Sequence, residues 1–140
     1  MAKMVEYLMA EALAAGLEGA EWAFALGVEK WSQGYNGIGP EYLPAAIREK
    51  ITQYLALFAP AAFIHDLRTD ESDGTREKFL AANDEFRRNC LKLARRGYPW
   101  YSLRRYRAQA AAMVLYDFVS SDTFGWKAWQ DAARKNLQTN

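Results

Sequence analysis

One histidine stands in the 140-residue chain, His65, and the residue after it is Asp66. An imidazole has its ordinary pKa near neutrality, which suits it to take a proton and return it. A carboxylate offers hard oxygens to a cation such as calcium. Neighbouring side chains on a helix point about 100° apart, so these two cannot hydrogen-bond to one another and each needs its own partner. With one histidine and one cysteine, Cys90, a zinc site of His and Cys ligands is excluded.

A partner for His65 is visible downstream. The apolar stripe Phe79, Asn83, Phe86, Cys90 and Leu93 recurs at steps of four, three, four and three, with Asn83 as its polar exception. A polar side chain on a core face must find a hydrogen bond, because leaving it unpaired costs roughly 1–3 kcal/mol. A buried imidazole would supply one. Asp84 is turned about 100° to the flank and is the second candidate to orient His65. A partner for Asp66 is sought in the segment 34–40, Gly34-Tyr35-Asn36-Gly37-Ile38-Gly39-Pro40, which is too rich in glycine and proline for a helix and is expected to form a shaped loop. The plainer alternative is that His65 is a structural histidine with satisfied hydrogen bonds, and that Asp66 forms a surface ion pair with Arg68 or Arg76.

These residues carry a resemblance. Phe63-Ile64-His65-Asp66, followed by Ala82-Asn83-Asp84-Glu85-Phe86, resembles the His-Asp and Ala-Asp-x-x-Phe motif pair of the phospholipase A2 superfamily. The nearest forms are the short, disulfide-free ones of parvovirus capsids, prophages and bacteria. Tyr35-x-Gly37-x-Gly39 is similar to the calcium loop of that family. The resemblance covers about residues 35 to 86. It implies His65 as the general base that activates water, Asn83 or Asp84 as the group orienting it, and Asp66 with the loop at Tyr35, Gly37 and Gly39 as calcium ligands. The implied activity is calcium-dependent hydrolysis of a phospholipid ester by a protein of phage or prophage type. Thr69 stands where the family has tyrosine and Asn83 where it has the orienting aspartate. Those replacements support an alternative, a non-catalytic structural or assembly module such as a virion component.

A second feature serves either reading. No acidic residue occurs between Glu85 and Asp117, while Arg87, Arg88, Lys92, Arg95, Arg96, Arg104, Arg105 and Arg107 are interleaved with Tyr98, Trp100, Tyr101 and Tyr106. Such a surface can meet phospholipid, a protein partner or nucleic acid, with its rings stacking on bases or seating in a lipid interface. The competing expectation is that the arginines line the solvated faces of two helices and pair with surface glutamates. Self-association is compatible with either.

The elements that must position these residues read as helices throughout. Residues 3–15 and Glu21–Gln33 have helical periodicity and good helix formers. A third helix is expected from Glu41 to Phe58, and Pro60 then kinks the chain or opens the helix that holds His65, to about Arg68. The polar stretch Thr69–Gly74 is a turn, Thr75 an N-cap for a helix to about Arg96, and Gly97 its stop. A long Ala-rich helix from Tyr101 or Ser102 to about Ser120 and a short one from Phe124 to Asn136 complete the chain. With no strand pattern and no repeat, the expectation is an all-α single domain over 1–140, a bundle of about five to seven helices with a helix pair carrying His65 and Asn83. Trp22, Trp31, Trp126 and Trp129 are expected to fill the core or meet a partner.

Half the residues are apolar, 51%, and a quarter charged, 25%, which supports a real core. A formal net charge of +1 gives no global attraction to nucleic acid or membrane, so an electrostatic partner must be met by a local patch. The lone Cys90 points to a reducing compartment. Glu6 and Glu11 interrupt the first apolar run, so neither a signal peptide nor a membrane span is expected. The implied location is the cytoplasm, or a virion for a phage-derived protein.

Overall fold

The computed structural model of the chain describes residues 2–35 and 45–139. Among them every regular element is helical, as the periodicity requires: α1 (Ala2–Ala14), α2 (Ala20–Leu26), α3 (Val28–Gly34), α4 (Ala45–Ile51), a 3-10 turn (Thr52–Tyr54), α5 (Leu55–Asp70), α6 (Arg76–Gly97), α7 (Leu103–Val119), a π-turn (Asp122–Trp126) and α8 (Lys127–Thr139). No described helix is long and apolar enough to cross a membrane.

α5 lies at the centre, packed against α1, α2, α3, α6 and α8. Its sequence explains this position. Phe58, Pro60, Ala61, Ala62, Phe63, Ile64 and Leu67 are all buried, so the helix has an apolar surround in place of a single stripe, and such a helix must be enclosed. Full burial of Phe58, Phe63 and Phe86 contributes about 1.5–3 kcal/mol for each ring. α6, by contrast, is amphipathic. Phe79, Ala82, Asn83, Phe86, Asn89, Cys90, Leu93 and Ala94 form its inner face, which contains the whole stripe expected from the sequence. α7 meets α6 through Ala108, Ala111, Ala112 and Leu115. A second, smaller cluster, Phe79, Ala82 and Trp129 with Trp126 against it, fixes α8 to the start of α6.

The turn between α5 and α6 is held from both ends. The Thr75 amide and hydroxyl donate to Asp73 Oδ1 at 3.0 and 2.8 Å, and Thr75 Oγ1 accepts the Lys78 amide at 3.4 Å, the expected N-cap. α8 clamps the same turn: Ser72 Oγ donates to the Trp129 carbonyl at 2.9 Å, and Asn136 Nδ2 donates to the carbonyls of Asp70 and Ser72 at 2.8 and 3.0 Å.

Several boundaries differ from expectation for local reasons. The helix expected over Glu21–Gln33 divides at Gly27, whose φ of 89° turns the chain where an L side chain would be strained. Trp31 secures the junction by donating from Nε1 to the Ala23 carbonyl at 2.7 Å. The helix expected from Glu41 to Phe58 is, over its described part, α4, a 3-10 turn and the first residues of α5. Pro60 neither starts a helix nor ends one. It sits buried inside α5, where its nitrogen carries no hydrogen to donate to the Ala56 carbonyl. The last helix is entered through the π-turn, with Ser121 Oγ accepting the Phe124 amide at 3.2 Å. On α1 the inner face is Val5, Leu8, Met9 and Ala12, and Met4 faces solvent.

Gly34, which the sequence assigned to the loop, is the last residue of α3 and packs directly on α5. A Cβ there would lie 2.8 Å from Leu67 Cδ2 and 3.3 Å from Asp70 Cβ, and Leu67 is buried. Gly34→Ala is therefore expected to destabilise the fold by about 1–3 kcal/mol through overpacking, although alanine is the better helix former. Urea unfolding followed by circular dichroism measures this, and a stabilised variant would show that α3 does not press on α5.

Candidate active site

His65 projects from α5 toward α6, and its Nε2 lies 2.8 Å from Asn83 Oδ1. An amide oxygen only accepts, so Nε2 carries the proton and Nδ1 is left with a free lone pair. The ring packs on Phe86, centroid to centroid 5.0 Å, and keeps a partial exposure to solvent. Burial pushes the imidazole pKa below its ordinary 6.5, and the hydrogen bond that the ring donates to Asn83 offsets part of this. His65 is thus a neutral, oriented imidazole at pH 7, the form in which a general base works.

Asn83 itself is buried, and its Nδ2 has no hydrogen-bond partner among the described residues. An unpaired buried donor costs roughly 1–3 kcal/mol. The amide therefore serves the imidazole at some expense to the fold, and a carboxylate at this position would carry no stranded N–H. The neighbour Asp84, the other candidate to orient His65, is turned to α7, where Tyr116 Oη donates to its Oδ1 at 3.2 Å. The structure therefore brings Asn83 to His65 and not Asp84, because the rotation between successive helical residues carries the carboxylate to the next interface.

Thr69, one turn after His65, donates from Oγ1 to the His65 carbonyl at 3.1 Å, a local back-bond on the helix. Asp66 looks toward the end of α3. The Tyr35 hydroxyl has its pKa raised by burial and, in addition, by the negative charge of Asp66. Tyr35, the first residue of the expected calcium loop, is thus within electrostatic reach of that carboxylate, and its ring also packs edge-on to Phe63 at 5.6 Å. Gly37 and Gly39 lie outside the described residues. Calcium takes about six to eight oxygens. Asp66 and the Tyr35 carbonyl are of the right chemical kind, and no group of three or more His, Cys, Asp or Glu side chains is assembled for a metal among the described residues.

Arg68 does not pair with Asp66. It makes two parallel bonds to Glu85, at 3.1 and 3.0 Å, and its guanidinium lies 3.8 Å over the Trp22 ring. Arg76 is ion-paired to Asp122 at 3.6 Å. The Arg68–Glu85–Trp22 stack was not anticipated, and only the spacing of Arg68 three residues after His65 hinted that it shares that side of α5. Arg68 and Trp22 border a surface cavity of about 490 Å³, which is lined further by Leu13 and the α1–α2 connection. Another, of about 180 Å³, is bordered by Tyr7, Leu57, Leu93 and Arg96. His65 lines neither.

The basic segment splits in two. Arg88 is bidentate to Glu18 at 2.7 and 2.9 Å, Lys92 donates to the Gly16 carbonyl at 2.6 Å, and Arg96 reaches Glu11 at 3.9 Å, so these three tie α6 to α1 and the connection after it. Buried Asn89 joins them by exchanging both bonds with the Glu18 backbone, 2.8 and 2.9 Å. Arg87 sits 5.6 Å from the centre of the Tyr116 ring. Arg95, Arg104, Arg105 and Arg107 make no ion pair among the described residues. Cys90 is buried and free, its thiol pushed well up by that burial, so it is no nucleophile. Of the tryptophans, Trp31 and Trp129 are core residues, with Trp22 and Trp126 packed at its edge.

Comparison with protein-family models, curated proteins and solved structures returns no match to the chain.

The lowered pKa of His65 makes stability depend on pH with a definite sign. Well above 6.5 the imidazole is neutral in both the folded and the unfolded chain. As pH falls through 6.5 the unfolded chain binds the proton first, so stability is lost until the lower folded value is passed. Asp73, held at about 2 by the two Thr75 bonds, acts only as pH falls below its ordinary 3.8, which is outside the range from pH 7.5 to 5. The midpoint of thermal unfolding is expected to fall between pH 7.5 and 5, and to fall less in His65→Gln. A proton NMR titration placing His65 at or above 6.5 would contradict this account of the site.

Proposed function

We propose that this chain is a phospholipase A2-like protein of phage or prophage type, in which His65 is the general base for hydrolysis of a phospholipid ester. The observation that carries the reading is the bond from His65 Nε2 to Asn83 Oδ1 at 2.8 Å, which unites the two short motifs whose order along the chain suggested the family. Water attacks the ester carbonyl while Nδ1 of His65 takes its proton. The imidazolium then returns that proton to the departing alkoxide, yielding a fatty acid and a lysophospholipid. Asn83 holds the ring in one tautomer throughout, as orienting groups in other His-based sites do. Asp66 with the carbonyls of Tyr35, Gly37 and Gly39 would hold calcium, which when bound polarises an ester carbonyl.

Asn83 also limits the rate. A neutral amide cannot stabilise the imidazolium by charge as a carboxylate does, so turnover is slow. The neutral donor on Nδ2, stranded in the core, is consistent with an amide standing in a place suited to a carboxylate.

Fatty-acid release from phospholipid vesicles, measured with calcium and with a chelator, tests the reading. His65→Gln is expected to lose about 10²–10⁴-fold in rate, the usual contribution of a positioned base. Release no greater than that of His65→Gln would overturn hydrolysis and leave a non-catalytic helical module. Asn83→Asp is expected to raise both the rate and the pKa of His65, since a carboxylate favours the charged imidazole. An unchanged His65 titration in that variant would show that residue 83 does not act on the ring.

A further inference from the structure

The α6–α7 turn presents a surface that the packing of the bundle does not use. α6 ends at Gly97, Ser102 donates its amide to the Pro99 carbonyl at 2.9 Å, and Ser102 Oγ caps α7 by accepting the Arg104 amide at 3.1 Å. This short, hydrogen-bonded turn holds Trp100 and Tyr101 out in solvent at 73% and 74% exposure, their rings edge to face at 5.8 Å. The exposure continues along α7. Leu103, Tyr106, Ala110 and Met113 follow at steps of three, four and three, so they form one stripe, opposite the buried Ala108, Ala111, Ala112 and Leu115. Leu103 is 62% and Tyr106 58% exposed. Arg104, Arg105 and Arg107 stand on the first turns of α7 and Arg95 near the end of α6, and none of the four makes an ion pair among the described residues.

We propose that this turn and the outer face of α7 seat the protein on a bilayer containing anionic phospholipid, with Trp100, Tyr101, Leu103 and Tyr106 in the interface and the four arginines on headgroup phosphates. Charge selects the partner. Four unpaired cations in a stretch without acids complement an anionic surface, and a second copy apposed through the same face would bring like charges together. The side chains select a bilayer over nucleic acid. Indole and phenol rings suit the headgroup level, but Leu103 and Met113 have no π face for a base to stack on, and hydrocarbon is where such side chains gain. The surface lies on α7 and the turn before it, and its use does not depend on whether His65 cleaves an ester.

The experiment uses the full chain and vesicles of ether-linked phosphatidylcholine, with and without ether-linked phosphatidylglycerol. Ether lipids cannot be hydrolysed, so a failure here is separable from a failure of the assay on His65. Cosedimentation is expected with the anionic vesicles and is expected to weaken as salt rises. Trp100→Ser combined with Tyr101→Ser should lower partitioning about tenfold. Arg104→Glu combined with Arg107→Glu should lower it by about fivefold or more for each arginine. These side chains are exposed, so far-UV circular dichroism should be unchanged; Trp100→Ser alone serves if the double variant unfolds. Absence of sedimentation with anionic vesicles, or equal sedimentation of the variants, overturns the proposal. So does binding to a single-stranded oligonucleotide with no vesicle binding, which reassigns the surface to nucleic acid. A dimer broken by Leu103→Glu with no vesicle binding overturns it as well.

Discussion

Everything in this fold depends on the need to enclose α5. A helix that is apolar on nearly every side cannot rest on a surface, and α1, α2, α3, α6 and α8 all pack against it. Its neighbours then face a common requirement, to present an apolar stripe inward and polar groups outward, and α6 meets it most plainly. The few polar groups that remain on α5 acquire their meaning from that enclosure. His65 meets an amide, Arg68 meets a carboxylate and an indole, and Asp66 meets the end of α3, where its charge is felt at Tyr35.

The polar contacts across the bundle fall into two kinds. Asn89 and Ser72 satisfy backbone groups of connections that would otherwise be stranded against the core, and this is structural work. The His65–Asn83 contact differs, because it leaves one buried donor unpaired while fixing an imidazole in a single tautomer. Stability alone would favour an apolar pair of similar shape or a fully bonded one. A contact that costs the fold something and poises a titratable ring is the kind of feature on which a functional reading can stand.

The basic segment shows how one run of charge can serve two ends. Arg88, Lys92 and Arg96 recur at steps of four on α6, which aligns them along the edge facing α1, where Glu18, Glu11 and the Gly16 carbonyl receive them. Arg95 falls off that edge, and Arg104, Arg105 and Arg107 lie beyond the turn. Geometry thus decides which arginines are consumed by packing and which are available to a partner.

Much was legible in the residues themselves, because it depends on local physics. Helical periodicity set the all-α class, Thr75 marked a helix start by the capping chemistry of its hydroxyl, and the four-three spacing on α6 predicted that Asn83 would be buried and in need of a partner. The choice among partners could not be read that way. Whether Asn83 or Asp84 meets His65 turns on the rotation of α6 about its axis, which is set by side chains scattered along α5 and α7. The pairing of Arg88 with Glu18 joins residues 70 positions apart, and no local pattern encodes it. The division at Gly27 and the tolerance of Pro60 inside α5 likewise follow from what packs around them. The sequence determined which residues must be inside, which must cap and which must find a polar partner; the tertiary structure alone decided who those partners are, because contacts between distant segments follow from the mutual orientation of whole helices.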